Sequence, residues 1–583
     1  MQTNVMLLMI AVVTALLLRQ LLAYSHFGLD LTDEGYYLVW MANPSQYQWS
    51  VSQFGFVYHP IYQLLGGDIV RLRQFNVLIT FLLACVLCIQ VLKTIGPSAP
   101  SMKSHRFVLG AGLATTSWVV FDAWLVTPSY NSLALQSLLL TATGLTMAQK
   151  GRSPASFAGW AMICVGGSLA FLAKPSTALA LTFAAVAYLF VARKISLRIV
   201  VLSVGATVTL MAAVALTIDS SMGAFFARIV SGIGMAGLLD AGHDFDHLFR
   251  IDRISFNRKE QAVALATLVF VPLGGLFAAS QSRVRQWLAL GLAIPVFIVA
   301  CGLSLGVFLA ESGLGHFQGV LLGAAGGSVL LWAVLERGRR VISGLSVEQR
   351  GLAALFLVMP YIFAFGTNTN TWASASSAGI FWVLSGVVLA SRQLVAKGSL
   401  NGLIPLALLA VAMSALLLHT GFSKPYRQNS PLWTNRTDTL VGPSASNLRL
   451  SSSQSAFLRS MKRDAKKAGL SPGEPVLDLT GQSPGVLYAL DAQNLGEPWI
   501  IGGYPGSTAK TAEILRRTPR EKIRSAWLLV EPKGRRSIDL GVLQPYALEI
   551  DRCYTIAAKG TLVSVFRKKP LNRELELLKP VCN

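Results

Sequence analysis

The hydrophobic positions of this chain come in long unbroken runs rather than in alternation or one-sided stripes. About thirteen such runs, each near the length that crosses a bilayer core as a helix, fall near 5–22, 75–92, 107–126, 132–149, 157–173, 177–192, 199–217, 261–280, 287–309, 317–335, 351–366, 373–391 and 401–419. A helix satisfies its own backbone hydrogen bonds, which any segment in lipid must do. The first run, Val5 to Leu22, has neither a basic leader nor a small-residue cleavage site, so it reads as an anchor. The runs stop near 420. Pro425, Pro431 and the Ser-rich stretch Ser444 to Ser455 predict a linker over 421–455. Beyond it, strand-like runs (Pro475–Leu479, Trp527–Glu531, Thr561–Phe566) alternate with basic helical ones (Ser455–Ala468, Thr508–Arg517). That alternation predicts a small α/β domain over 456–583. The expected architecture is an α-helical polytopic membrane domain over 1–420, with a first outer loop at 23–74, and a soluble C-terminal domain.

Composition agrees. Only 13% of the 583 residues are charged, against roughly 25% in soluble proteins. The net charge of +22 would suggest nucleic acid in a soluble chain. Here much of it lies in short loops between runs, where it sets orientation instead. Lys93, Lys103 and Arg106, then Lys150 and Arg152, then Arg193, Lys194 and Arg198, then Arg283 and Arg285, then Arg337, Arg339 and Arg340, then Arg392 and Lys397 all fall on one side. That side is cytoplasmic by the positive-inside rule, so the first loop and the C-terminal domain face out. The segment 218–260 is outside yet carries Arg228, Arg250, Arg253, Arg258 and Lys259 together with acids. Cys85 and Cys88 sit inside a run and read as apolar packing, whereas Cys553 and Cys582 in the tail are free to pair in an oxidising compartment.

The candidate chemistry concentrates in the first outer loop. Asp30-Leu-Thr-Asp33-Glu34 follows the first run, and Tyr36, Tyr37, Trp40, Tyr47, Trp49, Phe54, Phe56, Tyr58 and Tyr62 come after. Such aromatics suit helices at the headgroup level, as an active-site wall or as an interfacial belt. His59-Pro60 comes next, and Arg71 and Arg73 lead into the second run, placed to bind a lipid phosphate or to snorkel. Lys174 before Pro175 stands at the outer end of the fifth run, where a membrane-level ammonium costs about 2.5–3.5 kcal/mol and so calls for a reason. Asp122 lies in the turn between runs three and four, with Tyr130 and Asn131 just beyond it. Asn368, Asn370 and Trp372 form an outer turn suited to sugar recognition or simply to turning the chain. His243-Asp-Phe-Asp246-His247 looks like metal ligands at a spacing that is not diagnostic, and no ligand set here demands a metal. Gly232-x-Gly234-x-x-Gly237 lacks a surrounding βαβ unit and is not a dinucleotide motif.

Taken together, Asp33-Glu34 early in the first outer loop and His59-Pro60 before the second span resemble the GT-C class of membrane glycosyltransferases, and within it the protein O-mannosyltransferases and the lipid A aminoarabinose transferases. Two departures stand out: Ile61 replaces the second Pro of the family motif, and Gly35-Tyr36-Tyr37 stands where the aminoarabinose type has an Arg. The resemblance implies a sugar transfer from a polyprenyl-phosphate donor to a hydroxyl on a glycan, lipid or protein acceptor, with no cofactor and no nucleic acid. It implies Asp33 as general base, Glu34 as its partner, and His59 and Lys174 as phosphate contacts. It implies a plasma membrane, most simply a bacterial inner membrane. Two alternatives remain at this point: a transporter or flippase of a lipid-linked or anionic substrate, and a lipid-linked polysaccharide polymerase or ligase.

Overall fold

A computed structural model describes residues 1–97, 102–151, 153–241, 249–309, 311–338, 340–566 and 569–582. The expected runs fall on helical segments. Nine helices among the described residues are long and apolar enough to span a bilayer, or ten if the bent pair Thr371–Ala378 and Ile380–Leu389 counts as one span. The count of thirteen is not reached on length and composition, for local reasons. The third run breaks into a helix Lys103–Ala114 and a 3-10 turn Thr115–Phe121. Pro175–Val191 is a 17-residue helix, and the pair at 371–389 bends by 66°.

Contacts between helix ends sort the loops into two groups. At one end of the bundle, Lys194 pairs with Glu348 at 2.7 Å and reaches the Leu145 carbonyl, and Lys397 pairs with Glu336 at 2.9 Å. Gly96 packs on Leu400 there as well. These are the basic loops. Arg152 and Arg339 lie outside the described residues. At the other end, the first loop meets the turns after Phe121 and Leu172, and Lys424 pairs with Glu311. The segment 218–260, expected as a long loop, contains a helix, Met222–Gly237. This helix buries Phe225, Ile229, Gly232 and Met235 and leaves Phe226, Val230 and Ile233 exposed.

The stretch 421–455, expected as a linker, is ordered. It contains an antiparallel hairpin of β1 (Thr437–Val441) and β2 (Ser446–Leu450). The C-terminal domain carries a five-stranded sheet in the order β4-β3-β5-β7-β6. Its strands are β3 (Pro475–Asp478), β4 (Gln493–Asn494), β5 (Trp527–Val530), β6 (Tyr554–Phe566) and β7 (Lys569–Pro580). The first three are mutually parallel and the last two antiparallel. The chain leaves β3 toward β4 on one side and leaves β5 toward β6 on the other. The loops beyond the carboxyl ends of β3 and β5 therefore frame a crevice, the usual ligand position in such sheets. The Cys553–Cys582 pair is closed as a disulfide, which ties the chain end to the start of β6.

That crevice faces the first loop. The Gly485 amide donates to the Leu31 carbonyl at 2.9 Å, and the Thr32 hydroxyl donates to the Gln482 carbonyl at 3.1 Å. Gln454 donates to Leu29 at 2.8 Å, and Tyr62 meets Tyr488 at 3.2 Å. Gly35 explains the closeness: a Cβ there would stand 2.3 Å from the Gly485 backbone. Only glycine lets the helix Asp33–Ala42 cross the helix Pro484–Ala489 at this distance.

Candidate active site

Asp30, Asp33 and Glu34 diverge in role although they are near neighbours. Asp30 is buried and caps the helix Asp33–Ala42, its Oδ2 accepting the Glu34 amide at 3.1 Å while its own amide donates to Glu34 Oε2 at 3.2 Å. Glu34 meets the Arg73 guanidinium through two parallel bonds, at 2.8 and 2.9 Å, and also accepts from the Thr127 hydroxyl. Arg73 spends its remaining donors on the carbonyls of Ser25, Phe27 and Gly28. Each side chain of this pair is 1% exposed, so both are fully engaged. Arg73, expected at a lipid phosphate, instead ties the start of the second span to the motif loop.

Asp33 differs. Its side chain is 22% exposed and its Oδ2 stands 3.2 Å from Arg427 Nη1, an ion pair without hydrogen-bond alignment, so that oxygen keeps a free lone pair. Burial pushes the Asp33 pKa up, and Arg427, Tyr426 and Arg536 pull it back. Burial and the Asp33 charge carry Asp30 up to about 7, with Arg427 opposing. Position in the first turn of a helix also favours the anion. Arg427 holds a left-handed backbone at φ +55°, a strain that a non-glycine residue tolerates only where the surroundings enforce it. Gly28, at φ +71°, leaves room for Gln428 beside it.

Tyr130 links this cluster to Lys174. Its ring packs edge-on against Tyr37 at 5.9 Å and beside Phe54 at 6.0 Å, and burial and the Asp33 charge push the pKa of its hydroxyl up. Lys174 Nζ stands 5.2 Å from the Tyr130 ring centroid and 5.0 Å from that of Phe363. Pro175 forces the residue before it into an extended conformation, observed at φ −151° and ψ 108°. That ends one helix and throws the Lys174 side chain out between two spans. Among the described residues its ammonium has ring contacts but no carboxylate and no hydrogen-bond partner. Phe171 and Pro175, near it in sequence, contribute to the lining of an apolar cavity of about 960 Å³ between Pro154–Ala173, Pro175–Val191 and Leu197–Asp219, which Lys174 itself does not line. An aromatic wall of Tyr36, Tyr37, Trp40, Phe54 and Tyr130 closes the site, joined by Trp499 from the C-terminal domain.

Other expected residues sit elsewhere. The His59 ring meets the Met41 carbonyl through Nδ1 at 2.6 Å and stacks near Tyr62, which braces the junction between Asp33–Ala42 and Phe54–Leu64. Arg71 is exposed on the second span. Asp122 accepts from Gln318 at 3.1 Å, and Gln318 accepts from Thr420, so Asp122 belongs to a separate polar tie between spans. Asn368 donates to Ala241, Asn370 to Arg253 and Trp372 to Asp252, which ties this turn to Ala241 and to the stretch 252–253. The His243 to His247 cluster lies outside the described residues. Tyr426, Arg427, Tyr504 and Arg536 were not foreseen. Arg427 did carry a signal, a basic residue just past the last span on the side where positive charge is sparse.

The class defined by fold and site is a polytopic helical membrane protein whose C-terminal sheet domain closes over a carboxylate-and-cation cleft. No family model matches the chain, and no curated protein matches it. Two solved structures are similar to it: ArnT from Cupriavidus metallidurans in the apo state (TM-score 0.37, 13% identity) and ArnT from the same organism bound to undecaprenyl phosphate (TM-score 0.39, 15% identity). Each likeness covers 99% of this chain and 98% of the other.

Proposed function

We propose that this chain transfers a sugar from a polyprenyl-phosphate carrier to an acceptor hydroxyl at the outer membrane surface. The observation that carries the reading is Tyr130, whose ring lies against the unpartnered Lys174 ammonium and packs on Tyr37 of the helix that Asp33 opens, with the Asp33 carboxylate keeping a free lone pair and an apolar cavity lined by the neighbours Phe171 and Pro175. Asp33 takes the proton of the acceptor hydroxyl, which is a poor nucleophile otherwise. The oxygen attacks the anomeric carbon from the face opposite the phosphate. The bond from that carbon to the phosphate oxygen breaks, the configuration inverts, and the polyprenyl phosphate leaves with the electron pair. Lys174 meets the charge that develops on the phosphate. The lipid chain lies in the apolar cavity lined by Phe171, Pro175, Leu179, Val204 and Phe226.

The reaction so written uses no cofactor, because proton acceptor and counter-charge are both side chains. The basic loops at one end of the bundle support a cytoplasmic placement for that end, and the Cys553–Cys582 disulfide supports an oxidising compartment for the other. Both fit a bacterial inner membrane with the site facing out.

The test compares wild-type membranes with Asp33→Asn membranes at equal expression, using a panel of radiolabelled polyprenyl-phosphate sugars and following label leaving the lipid. Transfer by wild type and its loss in the variant is the expected result. Transfer that survives in Asp33→Asn removes Asp33 as the base. Donor lipid crossing the bilayer without transfer would favour a transporter.

A further inference from the structure

The crevice at the carboxyl ends of β3 and β5 delivers one side chain into the cleft. Arg536 lies in the loop after β5, and its backbone is held by glycines from the neighbouring loops. A Cβ on Gly481 would stand 2.1 Å from the Arg536 carbonyl oxygen, and one on Gly502 would stand 1.7 Å from it. A Cβ on Gly503 would press the Arg536 side chain at 3.0 Å. Gly481 and Gly502 thus close on its backbone and Gly503 on its side chain, and Gly481 precedes Gln482, whose carbonyl Thr32 holds next to Asp33. Its guanidinium has no hydrogen bond or ion pair among the described residues, although it is partly buried. The groups whose charges reach it are Arg427, Tyr504, Tyr426 and Asp33. Arg427 is already held by Asp33, at 3.2 Å. The partly exposed Asp33 is therefore paired with one guanidinium and lies within the field of a second, Arg536, which has no ion-pair partner among the described residues. Asp30 adds little, since its pKa near 7 leaves it only partly ionised at neutral pH.

A partly buried guanidinium with no partner, within the field of another, is costly unless an anion joins it. Lys174 belongs to a different place. Its ammonium lies against Tyr130 and Phe363, and its neighbours Phe171 and Pro175 line the apolar cavity. Arg427 and Arg536 come from the segment after the last span and from the C-terminal domain.

We propose that Arg536, with Arg427, forms a second anion seat, separate from Lys174, which binds an acceptor whose reacting hydroxyl stands beside an anionic group such as a phosphate monoester or a carboxylate. This rests on the glycosyltransferase reading for the word acceptor but not for the anion seat itself. Arg536 binds the anion through a planar guanidinium suited to paired oxygens, and the neighbouring hydroxyl comes within reach of Asp33. The C-terminal domain then selects the acceptor while the membrane domain holds the donor.

The test uses the full-length protein in detergent, with glucose 6-phosphate and inorganic phosphate as anion probes, glucose as the neutral control and farnesyl phosphate as the donor-lipid probe. Binding is read by calorimetry. Wild type is expected to bind glucose 6-phosphate but not glucose, and to do so with farnesyl phosphate already saturating. Arg536→Gln should weaken glucose 6-phosphate about tenfold and leave farnesyl phosphate unchanged, Lys174→Gln should do the reverse, and Arg536→Lys should recover part of the loss. The proposal is overturned if farnesyl phosphate displaces the sugar phosphate, if Arg536→Gln binds it as wild type does, or if wild type binds no anion probe. The competition experiment needs no variant, so a poorly folding Arg536→Gln does not block it. Sugar phosphate bound without any binding of farnesyl phosphate would leave the seat standing and remove the lipid-donor reading.

Discussion

Asp33 and Glu34 are adjacent in sequence and opposite in what they can do. Glu34 faces Arg73 inside the protein, where removing one charge strands the other. Glu34→Gln is expected to destabilise the fold by about 3–5 kcal/mol, read as a lowered midpoint of thermal unfolding in detergent. Asp33→Asn sheds one loosely aligned ion pair at a partly open position and leaves Arg427 without its carboxylate, so it should lower that midpoint by less than Glu34→Gln does while removing transfer. A matched loss of stability in both variants would mean that Asp33 is structural too. Asp30 gives a pH signature of its own. Its folded pKa, near 7, is raised above the unfolded value of about 3.9, so the folded state binds the extra proton between these limits. Stability is then expected to fall as pH rises from about 4 to about 7 and to flatten above it, and Asp30→Asn should remove this slope. An unchanged slope in the variant would assign it to another group.

Gly35 carries the argument at the level of elements. In an isolated helix, glycine to alanine gains about 1 kcal/mol. Here the added methyl would meet the Gly485 backbone at 2.3 Å, where neither side has a flexible atom to move. Gly35→Ala is therefore expected to destabilise and to loosen the C-terminal domain, with faster proteolysis in the segment 424–436 as the readout. A stabilised variant would show that the two helices separate easily. The Lys174-Pro175 break acts in a similar way. The proline dictates where one span ends and the next begins, and the lysine is aimed by that break.

For the whole molecule, the site is shared between domains, so the stability of the C-terminal domain matters. The disulfide closes the chain end onto β6 across a separation of 29 residues. Replacing Cys553 and Cys582 by Ser should cost about 2–4 kcal/mol in the C-terminal domain. In protein isolated without reductant, a thiol reagent should label neither cysteine until reduction. Labelling beforehand would place the domain in a reducing compartment and reverse the orientation proposed above.

The runs of apolar residues by themselves determined that the chain crosses a membrane many times, because twenty apolar residues have no other stable home. Their basic loops determined which helix ends lie together. The strand runs at 475, 527 and 561 and the two basic helices were likewise legible, since each is a local pattern with its own period. The acidic motif and Lys174 were visible because charge beside a membrane needs a reason. Tertiary structure alone decided which acid is free. Asp33 and Glu34 look alike until Arg73 closes on one of them and Arg427 leans on the other, and those arginines are 39 and 394 residues away. It alone decided that Asn368, Asn370 and Trp372 clasp a neighbouring segment, and that Asp122 belongs to another cluster. It also decided that a glycine-lined loop near residue 536 reaches the site. Pairing between distant segments leaves no local period to read, because it is fixed by how the helices and the sheet pack.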